Sequence, residues 1–408
     1  MTESSAGTAA PLFTRTFVWL LLAHFLQALG FSSMLLLPLY LAELGASRAE
    51  IGAVMAAANA GGLASRPLVG WALDAWGRRP TLLVGTAVLT ASMVALGGVQ
   101  SMGPWVYVDR VFLGAGIGAL FAGYFTWASD VIPPRRRTEG VALFGISGLL
   151  PLALNAFADD AGLRGAELRF LFVALSGAVA LSGGIVLALD EPAGGVHPGE
   201  QASARFGELL RGLLSRSLLP VWWASAVFSG LVGVFFAFAT VSAASRGVDD
   251  PARLWLTYAG GAVGVRLLGA RLPDRIGPAN LVVPAVALYL GAFALAAVAR
   301  SSGGFAWAGV LAGLGHGVCF PVLMSQVVGR SASRQRGTAV SLFTAVWGIC
   351  ELVLPPLAGL GADRWGDSLL YHGVVWVGLA GLVVWAALEH WADPRGAAGA
   401  QTPAAGGT

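Results

Sequence analysis

RPLVGWALDAWGRRP, residues 66–80, and RLLGARLPDRIGP, residues 266–278, decide how this chain is read. Arg66, Asp74 and Gly77 of the first stretch return as Arg266, Asp274 and Gly277 of the second, each 200 residues later. A second echo follows. Gly114, Gly116, Gly118 and Phe121 in GAGIGALF return as Gly313, Gly315, Gly317 and Phe320 in GLGHGVCF, 199 residues on. Both pairs lie inside long apolar runs. A membrane chain built from two similar halves suits a carrier in which one half moves against the other around a central site.

Composition points the same way. The 408 residues are 56% hydrophobic and only 12% charged, with a mean hydropathy of +0.73. A soluble protein carries about twice that charged share. A spanning helix needs about 20 mostly apolar residues. Twelve such segments are predicted: 16–41, 50–73, 79–99, 104–128, 138–161, 167–189, 218–243, 253–272, 278–299, 304–329, 336–360 and 368–390. The chain is therefore expected to be an all-α membrane protein. It should have a disordered tail over 1–15, a six-helix bundle over 16–189, a linker over 190–217, a second bundle over 218–390 and a disordered tail over 391–408. Within the linker, Phe206 to Leu214 reads as a short amphipathic surface helix. The first apolar stretch runs to Leu41, too long for a signal peptide, and reads as a retained helix.

The net charge of +3 comes from arginine alone, because the sequence has no lysine. Loops on one side hold fifteen arginines; those on the other hold seven, Arg48, Arg164, Arg169, Arg246, Arg253, Arg300 and Arg364. The arginine-rich side, with both termini, should face the cytoplasm. Nucleic-acid binding is not expected, since no basic patch with interleaved aromatics exists. Cys319 and Cys350 fall in apolar runs and read as buried thiols. There is no G-x-x-x-x-G-K-[ST] phosphate loop, H-E-x-x-H, G-x-S-x-G or metal-spaced cysteine pair, so neither an enzyme nor a metal or other cofactor is expected.

Gly70 to Arg79 follows G-x-x-x-D-x-x-G-R-R between two membrane helices. This resembles the loop signature between helices 2 and 3 of the major facilitator superfamily. Arg110 with Gly114, Gly116 and Gly118 resembles the R-x-x-x-G-x-G motif of its fourth helix. The resemblance covers nearly the whole chain, and Arg66-Pro67 with GLGHGVCFP looks most like bacterial drug or metabolite efflux members. It implies twelve helices in two pseudo-symmetric bundles, a bacterial inner-membrane location, a small-molecule substrate, protons as coupling ion and a monomer. In the loop itself, Gly70 permits close helix contact and Gly77 a tight turn. Asp74 can sit against the positive end of a neighbouring helix, by family analogy helix 11 near Gly337, with Arg78 pairing to it. That would latch the cytoplasmic side in the outward-open state; alternatively, Arg78 and Arg79 only set topology. In the second copy Pro273 and Pro278 intrude while Asp274 and Arg275 remain, which leaves a weaker latch or a plain loop. Asp109 and Arg110 form a local pair or, as the motif implies, couple proton movement to conformation. Arg66 and Arg266 read as snorkelling or carbonyl-bound.

The superfamily lines its cavity with helices 1, 2, 4 and 5 and their counterparts. The resemblance thus points to His24, Gln27, Asn59, Tyr124, Trp127, Asn155 and Asp159 in the first half. In the second it points to Phe235, His316, Gln326, Trp347 and Glu351. Buried polar groups are costly in lipid, so each is a site candidate. Glu351 stands on an apolar helix with no adjacent partner in sequence; it is either the proton carrier or a structural acid bonded to a neighbouring helix. Helix 5 reads GISGLLPLALNAFAD and lacks the Gly-Pro pair of drug–proton antiporters, although Pro151 keeps a bend. The reading is proton-coupled export of a small amphipathic molecule, with metabolite uptake or a non-transporting transceptor as rivals. The halves should superpose about the membrane normal, Asp74 on Asp274 and Gly116 on Gly315. Gln27 and Asn59 should face His316 and Glu351.

Overall fold

A computed structural model describes residues 11–133, 136–191, 215–269, 272–331 and 336–392. The linker helix expected at Phe206–Leu214 and both tails beyond these limits lie outside the described residues, as does the side chain of Asp274. Twelve long helical segments follow one another among the described residues: α1 (Arg15–Glu43), α2 (Arg48–Ala75), α3 (Arg78–Leu96), α4 (Pro104–Val131), α5 (137–160), α6 (Ala166–Ala188), α7 (Leu219–Ser245), α8 (Arg253–Leu268), α9 (Ala279–Val298), α10 (Ser302–Arg330), α11 (Arg336–Trp365) and α12 (Asp367–Ala392), with one short helix, Leu272–Ile276, between α8 and α9. Lipid offers no partners for backbone polar groups, so these apolar stretches satisfy their own as helices.

Two segments are interrupted where proline removes a donor. α1 breaks after Ser33 and resumes at Leu37, next to Pro38. α5 passes through a 3-10 turn at Leu150–Ala153 that contains Pro151, so the bend expected there is present. The Pro151 carbonyl, which also accepts the Leu154 N–H, accepts the Ser32 hydroxyl of α1 at 3.0 Å. Nine of the described segments are long and apolar enough to cross a bilayer by themselves. The other three are α2, rich in Gly and Ala and carrying Asn59 and Arg66, the broken α5, and α8 with 16 residues. All three face the opposite half of the molecule.

The internal repeat is visible in the packing. Gly77 and Gly277 both adopt positive φ, 95° and 83°, where the chain turns from one helix into the next and where glycine alone is unstrained. Gly114 lies on the backbone of Ala58, and Gly313 on that of Tyr258. A Cβ on Gly116 would stand 2.9 Å from the Leu89 nitrogen; one on Gly315 would stand 3.2 Å from the Tyr289 nitrogen. Gly118 faces Gly62 and Ser65, and Gly317 faces Ala262 and Val265. Every contacted residue recurs 200 positions later. Helices α2, α3 and α4 therefore pack as α8, α9 and α10 do. α2 and α8 run in the same direction, which puts Asp74 and Asp274 at the same face of the molecule.

Gly114→Val is expected to force α2 away from α4, because the obstacle is backbone and cannot rotate aside. The cost should be about 3 kcal/mol, read as a lowered melting temperature in detergent; an unchanged value would mean the glycine stripe does not set the helix spacing.

Candidate functional site

The halves meet along two crossings, α2 on α11 and α5 on α8, with α1 also reaching α7. At the end where α2 begins, called here the Arg48 face, the crossings are closed by carboxylates. Asp363, at the end of α11, accepts the backbone N–H groups of Arg48 and Ala49 at 2.7 and 2.8 Å. Those are unpaired donors of the first turn of α2. The Arg48 guanidinium donates to both oxygens of Asp367, at 3.0 and 2.9 Å. On the other crossing, Asp159 at the end of α5 accepts the Ala252 N–H at the start of α8, at 2.6 Å. Its second oxygen pairs with Arg164 at 2.6 Å. Each crossing is thus built alike: an acid ending one helix caps the helix that starts opposite.

Midway, Asn59 donates to the backbone carbonyl of Glu351 at 3.4 Å across the halves. The Glu351 side chain packs beside Gly233 of α7; its carboxylate makes no hydrogen bond or ion pair with a described residue. Deeper, Arg66 spans to α11, donating to the Ser341 carbonyl at 3.3 Å and to the Thr344 hydroxyl and carbonyl at 2.6 and 2.7 Å. Arg266 lies between α8 and α5 and donates through Nε to the Gly317 carbonyl of its own half at 3.3 Å. In both, carbonyl bonding fits the reading of these arginines.

Towards the opposite end, the Gly77 face, Arg78, Arg79 and Arg330 each bond within their own half. Arg78 Nε donates to Asp130 at 2.9 Å, and the Arg78 N–H donates to Glu191 at 2.5 Å. Arg79 donates to the Leu187 carbonyl. Arg330 pairs with Glu389 and donates to the Ser217 carbonyl at 3.0 Å. Between described residues, no hydrogen bond joining the halves lies nearer this face than those of Arg66. Asp74 is exposed and bonds no described residue, and Arg78 donates to Asp130. Among the described residues, none of α11 bonds Asp74. Gly70 is exposed, with nothing within 4 Å of where a Cβ would stand, and Arg275 is exposed. Arg110 is buried, with Nε towards the Val54 carbonyl at 3.4 Å and Nη1 unbonded, and it forms no ion pair with Asp109.

Several residues expected on a cavity wall are packed inside one bundle instead. His24 bonds Ser147 at 2.7 Å and is caged by Phe144, Tyr124 and Phe125, its ring 4.5 Å from that of Phe144. Tyr124 and Trp127 are fully buried. Asn155 staples α5 to the Ser32 carbonyl of α1 at 3.0 Å. Phe235 is enclosed by Trp255, Tyr258, Tyr289 and Phe293. Gln326 is held by Arg330 at the Gly77 end of α10, and Gln27 is buried. His316 shares a hydrogen bond with the Tyr258 hydroxyl and sits among Phe228, Phe236, Phe320 and Trp347. Of these rings Phe236, Phe320 and Trp347 are only half-buried.

The Major Facilitator Superfamily model matches residues 20–349 and 254–406. The chain belongs to this superfamily. Among its relatives, an uncharacterized MFS-type transporter of Burkholderia mallei (strain SAVP1) is 26% identical over 334 residues, 79% of each chain. Another, YhhS of Escherichia coli (strain K12), is 27% identical over 345 residues, 81% of this chain and 80% of that one. Solved superfamily structures share the fold. The nucleoside transporter NupG superposes with a TM-score of 0.72 at 14% identity, covering 92% of this chain and 99% of that one. A bacterial homolog of the human lysosomal transporter Spinster, inward-facing and unoccupied, gives 0.71 at 16% identity, covering 97% and 100%. The chain is thus an MFS-type, multi-pass membrane protein of two six-helix bundles.

Arg48, Asp363 and Asp367 escaped the sequence reading, which counted Arg48 only as a loop charge. The pattern Ser47-x-x-Glu50 marks a capping box, and it is formed. It announces where α2 starts but not that an acid 315 residues away completes the cap.

Proposed function

We propose that this MFS protein is a secondary active transporter that exports a small amphipathic molecule by alternating access, driven by protons. It works in the bacterial inner membrane, with the Gly77 face and both termini in the cytoplasm. The observation that carries this reading is the uneven distribution of contacts between the halves. They are pinned by three carboxylates at the Arg48 face, while the bonds between described residues at the Gly77 face stay within each half. A carrier whose halves rock about a central site has this arrangement when it opens inwards. Similarity to an inward-facing superfamily structure and to a nucleoside transporter supports it. We assign the proton to the Glu351 carboxyl, which packs beside Gly233 of α7 and bonds no described residue. Asp74 is assigned the latch of the alternate, outward-open state, as a charge that meets the start of α11 when the Gly77 face closes.

Proteoliposomes carrying a pH-sensitive dye test the proposal. An imposed pH difference should drive an amphipathic solute uphill, and the solute should in turn dissipate the pH difference. Solute accumulation without proton movement would remove the coupling. Neither effect, across a library of amphipathic solutes, would remove transport.

A further inference from the structure

The repeat places Arg66 and Arg266 at equivalent points, yet the chain treats them differently. Arg66 reaches α11, where three oxygens of Ser341 and Thr344 take up its guanidinium. The equivalent crossing is α8 on α5. There, 199 residues before Thr344, stands Gly145, which offers no side chain. A Cβ on Gly145 would lie 2.8 Å from Arg266 Nη1, so the guanidinium rests over bare helix. Its one hydrogen bond to a described residue is from Nε to the Gly317 carbonyl, at 3.3 Å. Nη1 and Nη2 bond no described residue, and no described acid pairs with Arg266. The Glu351 carboxylate of α11 likewise bonds no described acid or base.

A fixed cation in the membrane interior is costly and marks a ligand or ion path. A guanidinium presents a planar fork that matches the two oxygens of a carboxylate, phosphonate or sulfonate. Nearby rings of the second half, Phe236, Phe320 and Trp347 around His316, are half-buried and offer an apolar, aromatic wall. We propose that the substrate is an organic anion with an apolar or aromatic body, and that its negative group docks on Arg266 in the place where α5 carries Gly145. This rests on the carrier reading above and names the substrate class of that site.

The test uses the full chain in detergent and three probes of one shape: benzoate, neutral benzamide and cationic benzamidinium. At about tenfold excess over its Kd, benzoate should raise the melting temperature by roughly 2–5 °C, and the other two should not. Arg266→Gln should abolish the shift, and Arg266→Lys should retain part of it. Gly145→Asp tests the site without any ligand. It sets a carboxylate against the Arg266 guanidinium, so it should raise the melting temperature and remove the benzoate response, whereas Gly145→Asn should do neither. No benzoate shift in the unaltered chain, equal shifts from all three probes, or a shift that survives in Arg266→Gln would overturn the proposal. So would Gly145→Asp lowering stability as much as Gly145→Asn. The two readings fail separately. A neutral or cationic solute carried at full rate by Arg266→Gln sinks the anion site and keeps the carrier. An Arg266-dependent benzoate shift with no anion transported keeps the site and sinks the carrier.

Discussion

Proteoliposomes of Glu351→Gln are expected to exchange substrate but not to concentrate it. Glutamine keeps the shape of the side chain and cannot exchange a proton. Nothing else in the surroundings needs to change, because the carboxylate makes no bond to a described residue and the cross-half bond from Asn59 goes to the Glu351 backbone carbonyl. One proton moving through 100 mV carries about 2.3 kcal/mol, enough to sustain an accumulation ratio of about 50. In the variant that ratio should fall to about 1, since a carrier without a driving ion only equilibrates its solute. Counterflow of labelled against unlabelled substrate should survive. Uphill transport at the original ratio would show that the proton rides on another group. Loss of counterflow as well would show that Glu351 binds substrate or holds the fold.

How far the sequence carries differs between fold and site. Each predicted segment lies within about five residues of its helix, and the 200-residue echo reappears contact by contact in the glycine packing. Apolar length and Gly/Pro punctuation are local signals, and they suffice for helices. Which way a side chain points is another matter. Phe235 and Phe236 are neighbours on α7; one is fully enclosed and the other half-buried. In a helix that is apolar all round, nothing in the sequence separates lipid face, bundle interior and cavity. His24 and Asn155 were legible as polar groups that must be satisfied, but their partners, Ser147 and the Ser32 carbonyl, lie 123 residues away. Asp159 was placed among cavity residues for its depth in helix 5. The fold carries it to the Arg48 face, where it caps α8. The difference between Arg66 and Arg266 is likewise set by what the opposite half presents, Thr344 in one case and Gly145 in the other.

The closure at the Arg48 face leads to the second large effect. For the transporter to open there, Asp363 must leave the first turn of α2 and Asp159 that of α8. Each capping carboxylate is worth about 1 kcal/mol to the helix it closes, and here both helices belong to the half opposite the acid. The two caps together therefore favour the closed Arg48 face by about 2 kcal/mol, a factor of roughly 30 in population. Asp159→Ala with Asp363→Ala should release that bias. Asp363→Asn should release less, because its side-chain oxygen still accepts from the backbone. Spin labels on Ala161→Cys and Asp249→Cys, exposed positions flanking the α5–α8 crossing, would report the change once Cys319 and Cys350 are replaced. The unaltered gate should give one short distance, and the double alanine variant a second, longer population at the expense of the first. Caps that merely stabilise α2 and α8 would lower the melting temperature and leave the distance distribution as it was. That result would mean that the Arg48 face is held by the apolar packing of α2 on α11, with the carboxylates incidental to gating.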